Sequence, residues 1–209
     1  LRQSEIQQLY QEGNLEGALN SAQESVSLAE VAFGSGALKT ISSMLLQAQI
    51  HGELDQLEEA NQIYQVALET SVSAFGESDA TTLSVLDNYG GFLNSIDPEM
   101  SESVLQEALR LTTEDDPQRA SRLRVLGLNL QELGRTGEAE VMLSEALKAY
   151  KKVLGENSPE TLSSMADLAQ LYLTQGKLKP AQELFETALP LMLEVMNKRS
   201  FLILVRKEN

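Results

Sequence analysis

Residues Leu168–Phe185 read LAQLYLTQGKLKPAQELF. Apolar residues recur at helical spacing on both sides of Gly176, with only a few residues between the two patterns. That predicts two amphipathic helices joined by a tight turn. Such a hairpin is a connection in a bundle, a site, or one copy of a repeat, and sliding the chain along itself decides between them.

Ala181, early in the second helix of this hairpin, has counterparts at Ala139, Ser101, Ala60 and Ala18, at spacings of 42, 38, 41 and 42 residues. Seven residues after each stand Ser25, Ala67, Ala108, Ala146 and Ala188. Four residues after stand Ala22, Tyr64, Leu105, Leu143 and Phe185. Twelve before, in the first helix, lie Ala48, Gly127 and Ala169, joined by Gly90 after a one-residue adjustment. Five before, in the turn, are Gly13, Gly134 and Gly176, with Asp55 and Asp97 read as the replacements for Gly in the other two copies. Small residues let paired helices approach, and the large residue fills the hole beside them. Glycine in the turn accepts the left-handed backbone that ends a helix. Pro98 and Pro180 fall where a helix begins, where a missing N–H costs nothing.

The joints between pairs repeat as well. AFGSGALKT (32–40), AFGESDATT (74–82) and VLGENSPET (153–161) align on Gly34, Gly76 and Gly155 and on Thr40, Thr82 and Thr161. Glycine is expected to end the long second helix, and Thr, Ser or Asp to cap the next first helix. The reading is five helix–turn–helix units, approximately 1–38, 39–80, 81–117, 118–159 and 160–197, followed by a tail or cap at 198–209.

Tyr172, Gly176 and Ala181, with Gly-x-x-x-x-Ala and Tyr four before the Gly, resemble the tetratricopeptide (TPR) pattern. The period near 42, with VLGENSPETLSSMADLAQLYLTQGKLKPAQELFETAL (153–189), is similar to the long-helix subclass typified by kinesin light chain. The resemblance covers about residues 3–197 and is strongest in the last two units. It implies an all-α, right-handed α-α superhelix whose concave wall is lined by first helices. The first helix of the first unit fits poorly around Arg2–Ile6, as a truncated or capping unit would.

Composition excludes several classes. There is no Cys, hence no disulfide or thiolate chemistry. The net charge of −15 argues against nucleic acid and anionic membrane. Residues 1–100 carry two basic against fifteen acidic side chains, −13, whereas residues 101–209 carry fourteen against sixteen, −2. The N-terminal half is therefore expected to favour a partner segment bearing Lys or Arg. FLILV (201–205) is too short to cross a bilayer, which needs about 20 apolar residues, and is expected to be buried against something. LRQSEIQQLY has no apolar stretch of the signal-peptide kind, and without an initiator Met the chain is expected to be a processed product, a fragment or a partial chain. The expected setting is intracellular and soluble, in cytoplasm or an organelle lumen or stroma.

Reactive constellations are missing. His51, the only His, shares the column of Leu130 and Tyr172 and reads as a packed structural residue. Gly90-Gly91 lies within a helical pattern and reads as close packing, not a phosphate loop. Glu114-Asp115-Asp116 reads as a solvated linker and Glu58-Glu59 as a helix start. No enzyme activity, cofactor or metal is expected. The resemblance implies instead a protein-interaction scaffold that takes an extended or helical partner segment in its groove. Alternatives are a structural subunit or assembly factor in a larger complex, and a regulatory domain of a larger protein.

In the family-like frame the groove positions are Ser42, Leu45 and Gln49; Ser84, Asp87, Asn88, Gly91 and Asn94; Ser121, Arg124, Leu128 and Gln131; and Ser163, Asp167, Gln170 and Thr174. The serines form either a polar ladder or helix-start caps. The Lys residues of a carboxylate clamp are absent from these positions. Arg119, Arg122 and Arg124 read as a solvated helix start, or as a local anion pocket.

Overall fold

The computed structural model describes the backbone of residues 3–207 and the side chains of residues 4–193. Among them the chain forms ten α-helices and no strand: α1 (Gln3–Gln11), α2 (Leu15–Phe33), α3 (Leu38–Glu53), α4 (Leu57–Phe75), α5 (Ala80–Leu93), α6 (Pro98–Leu111), α7 (Arg119–Glu132), α8 (Thr136–Leu154), α9 (Pro159–Thr174) and α10 (Leu178–Lys207). They pair as five hairpins, and the chain divides into two compact units, Leu1–Thr112 with α1–α6 and Thr113–Asn209 with α7–α10. α1 is only nine residues long, against sixteen for α3 and α9. α10 runs on without a break at residue 198. The side-chain packing of FLILV lies outside the described residues.

Four of the five turns behave as read. Gly13, Gly134 and Gly176 have φ of +74°, +74° and +72°, and Asp55 takes the same left-handed region at +59°. Asp97 does not. Its φ is −143°, and it is the N-cap of α6, its side chain accepting from the Met100 N–H. The α5–α6 turn has four residues (94–97) where the other four turns have three. The longer turn reverses the chain without a left-handed step, and α5 ends three residues after Gly90 where α3, α7 and α9 end five after Ala48, Gly127 and Ala169, which is why Gly90 needed a one-residue shift to align.

At the joints, Gly34, Gly76 and Gly155 end α2, α4 and α8 with φ of +91°, +93° and +84°. The aligned threonines do not cap. Thr40, Thr82 and Thr161, all buried, each donate through Oγ1 to the carbonyl of the glycine six residues earlier, at 2.7 Å in all three. The N-cap positions are Ala37, Asp79 and Ser158, of which Asp79 and Ser158 accept backbone N–H groups of the first turn. Each threonine thus ties the end of one hairpin to the start of the next, satisfying a carbonyl that the broken helix leaves open.

The core is built from the repeat columns by exchange of volume between two facing positions. Gly90 faces Leu105, and a Cβ at Gly90 would meet Leu105 Cδ2 at 2.6 Å. Gly127 faces Leu143 in the same way, at 2.8 Å. Where the first helix carries Ala48, the second carries Tyr64 in one cluster with it. In the first hairpin the exchange inverts: Ile6 stands on the first helix and Ala22 on the second, again in one cluster. A large residue on either side fills the space that a small one opposite leaves. His51 belongs to this packing. It is buried, with Nδ1 2.6 Å from Gln56 Oε1.

Candidate functional site

The columns that face the second helices are buried, which leaves the other face of each first helix available. Within the first unit α3 packs beside α5, and within the second α7 packs beside α9. The positions read as groove lie along these neighbours, and none is buried. On α3 and α5, Ser42, Gln49, Ser84, Asn88 and Gly91 are exposed, and Leu45 and Asp87 are half-buried, as is Asn94 at the end of α5. On α7 and α9, Gln170 and Thr174 are exposed, and Ser121, Arg124, Leu128, Gln131, Ser163 and Asp167 are half-buried.

Several of these side chains are engaged with their own fold. Leu45 packs against the cluster of Ile41, Met44, Ala67 and Val85 and is a core contact as much as a wall residue. Ser42 Oγ donates to the Leu38 carbonyl at 2.8 Å, and Asn88 Nδ2 to the Ser84 carbonyl at 2.7 Å. The ladder serines are not caps, because the N-cap positions Ala37, Asp79, Gln118 and Ser158 lie upstream of them.

Two of the three arginines, Arg122 and Arg124, are paired with carboxylates and form neither an anion pocket nor a solvated helix start. Arg124 on α7 pairs with Asp167 on α9, and Arg122, buried, donates to Asp116 Oδ2 at 3.0 Å. The partners are 43 and 6 residues away in sequence, so spacing along one helix gave no sign of them. The same contact commits Asp116 of the Glu114-Asp115-Asp116 linker, and among the described residues no group of three His, Cys, Asp or Glu side chains is placed to hold a metal ion.

Four of the groove positions, Gln49, Asp87, Asn88 and Gly91, line one cleft of about 650 Å³ between α3, α4 and α5 in the first unit. Gly52, Glu53, Asp55, Tyr64 and Phe92 complete much of its wall, and sequence reasoning did not place them there. Tyr64 and Phe92 have ring centroids 5.1 Å apart and tilted by 36°, and Tyr64 stacks on Tyr89 at 5.4 Å. Burial pushes the Tyr64 phenol up to about 12, so it stays neutral at any physiological pH. The cleft is thus aromatic on one side and carries the carboxylates of Glu53, Asp55 and Asp87, with no basic residue in its lining.

In the second unit, Lys177 Nζ donates to Glu140 Oε2 at 2.6 Å and lies 5.4 Å from the centre of the Tyr172 ring. The hydrogen bond from Lys177 holds the Glu140 carboxyl below the ordinary carboxylate range. This contact ties the α9–α10 turn to α8, which is a structural role.

No helix among the described residues is long and apolar enough to cross a membrane. No curated protein matches the chain in sequence. The family model for the tetratricopeptide repeat matches residues 118–194. Among solved structures, the kinesin light chain-like, nearly identical TPR-like repeats of Podosopora anserina superpose with a TM-score of 0.75 at 17% identity, over 92% of this chain and 93% of that one. BtubC (BKLC) from P. vanneervenii gives 0.77 at 20% identity, over 86% and 74%. A Rap protein complexed with Competence and Sporulation Factor gives 0.73 at 16% identity, over 91% of this chain and 52% of that one. Residues 118–194 thus match the tetratricopeptide-repeat family in sequence, and the fold of nearly the whole chain is similar to that of kinesin light chain-like repeats.

Proposed function

We propose that the chain is a protein-interaction scaffold that binds an extended or helical segment of a partner protein along the first-helix walls α3–α5 and α7–α9. The observation that carries this reading is the partition of each first helix. Its small and apolar columns are buried against the second helix, while every one of the sixteen groove positions keeps solvent exposure. A preformed polar wall of this kind binds without having to order itself first. The partner segment carries Lys or Arg where it meets the first unit. Residues 1–112 hold three basic against seventeen acidic side chains, whereas residues 113–209 hold thirteen against fourteen. Charge of that density raises the encounter rate of a basic segment and makes association salt-dependent.

A photo-crosslinking residue placed at Asn88 or Gln170 is expected to form adducts with the partner, and one at Glu69 or Glu145 on the second helices is not. Adducts confined to second helices and linkers would replace this reading with the alternative, a subunit held in a larger complex through its outer faces. One observation favours that alternative: Val31, Val66, Val141 and Val153 on second helices are 90%, 50%, 51% and 61% exposed. Association that does not weaken as ionic strength rises would remove the acidic steering from the proposal.

A further inference from the structure

Two residues at the α3–α5 cleft contradict the local preferences that the rest of the chain obeys. Gly91 is the first. A helix-interior glycine is unfavourable relative to alanine, and beyond the first helical turns, where Gly17 and Gly137 stand, each other helical glycine has a packing reason: Gly90 and Gly127 make room for Leu105 and Leu143, and Gly52 for the Phe92 ring at 3.3 Å. A Cβ at Gly91 would meet nothing within 4 Å, and its φ lies outside the left-handed range. Neither packing nor backbone geometry calls for glycine there. Asp55 is the second. It stands in the left-handed turn position, φ +59°, where three of the other hairpins carry glycine. A side chain with a Cβ is strained in that region. So glycine occupies a site that favours any other residue, and a carboxylate occupies a site that favours glycine. Both line the cleft.

The second unit shows what the same place looks like without these departures. Seventy-nine residues on, Gln131 and Gln170 stand where the first unit has Gly52 and Gly91. The glycine pair is therefore a property of this step of the array and not of the repeat.

The chemistry of the opening selects its occupant. Its charged lining is Glu53, Asp55 and Asp87 alone, and the Phe92 ring lies beside them. The acidic residues do not converge as metal ligands do. A long organic cation fits both parts, its methylene stem along the ring and its charged head among the carboxylates. We propose that this cleft is the subsite for one Lys or Arg side chain of the partner segment, with Gly91 admitting the segment's backbone close to α5. The inference rests on the protein-interaction reading above and deepens it.

The test uses the full chain and a peptide selected on it from a random displayed library, followed by binding titrations on variants. The expected result is a selected peptide with a fixed Lys or Arg, whose affinity falls about tenfold on Gly91→Gln, because the side chain fills the cleft. Asp55→Gly is expected to weaken it about threefold, and Glu69→Gln, the same charge change on an exposed face of α4, by less than about twofold. Thermal melts should show Gly91→Gln and Asp55→Gly as stable as the parent or more so, which a merely structural role for either residue would not produce. Selected peptides without a fixed basic residue, or unmoved by both cleft variants yet weakened by Gln170→Ala, would overturn the subsite and leave the scaffold. A library that yields no binder would overturn both. Free spermine binding as tightly as the selected peptide would make the cleft a polyamine site and overturn the peptide assignment.

Discussion

Gly127→Ala would drive a Cβ to 2.8 Å from Leu143, which is itself fully buried. Overpacking of that kind costs about 1–3 kcal/mol, and Leu143→Ala costs about 2–5 kcal/mol. The double variant is expected to cost less than the two single changes together, because each relieves part of what the other creates. Urea unfolding of the three variants checks this, and strict additivity would show that the two positions do not share one space. At this scale the sequence was legible where a residue acts on its immediate neighbours in the fold. The small-residue columns all proved buried, and His51 proved a packed residue. It was misleading where one residue type serves two ends. Gly90 and Gly91 look alike as letters, yet a Cβ at the first would strike Leu105 and one at the second would meet nothing within 4 Å. Asp97 looked like a turn residue and is a helix cap, because it stands four residues before Ser101, the place of the N-cap Asn14 before Ala18, and not five.

Between successive hairpins, some surface contacts are modest. The Lys177–Glu140 hydrogen bond ties a turn to the preceding second helix. Since it depresses the Glu140 carboxyl, it stabilises the fold at pH values above the unfolded carboxylate pKa, about 4.3. That contribution is lost as pH falls through the folded value. Glu140→Gln is therefore expected to be less stable than the parent at neutral pH, and the two should converge in acid. The effect is small, because Lys177 is 45% exposed and screened by solvent. Denaturant midpoints of both proteins at pH 7 and pH 3 test it, and a difference that persists at low pH would assign the contact to packing instead of charge. The elements themselves were readable from periodicity. Their caps were readable in part: of the Thr, Ser or Asp expected to cap, Asp79 and Ser158 do, whereas Thr40, Thr82 and Thr161 each reach back to a glycine carbonyl of the preceding hairpin.

Within each unit, successive hairpins touch, α2 on α3, α4 on α5 and α8 on α9, and stability is close to a sum of those interfaces. The nine-residue α1 packs against α2, whereas α8 is held by both α7 and α9. Amides of α1 are expected to exchange with solvent well before those of α8. Gly127→Ala is expected to accelerate exchange in α7–α9 while leaving α3 and α4 protected. Uniform acceleration along the chain would show one cooperative block instead of a graded array. The division of charge works on the same scale. The acidic excess lies in the first unit, which also holds the cleft, so the basic segment we propose would be attracted to the unit proposed to accommodate it.

The sequence by itself determined the class of molecule: an all-α repeat with its period, its hairpins, its buried columns and its acidic half. Those properties follow from spacing along the chain, and helical periodicity carries spacing directly into which face is buried. The tertiary structure decided which polar side chains remain available. Arg124 meets Asp167 across two helices, Arg122 meets Asp116 across a linker, and the α3–α5 cleft lies where Gly91 leaves open space. Such contacts join residues that the chain keeps apart and folding brings within a few ångströms, and no period along a single helix encodes them.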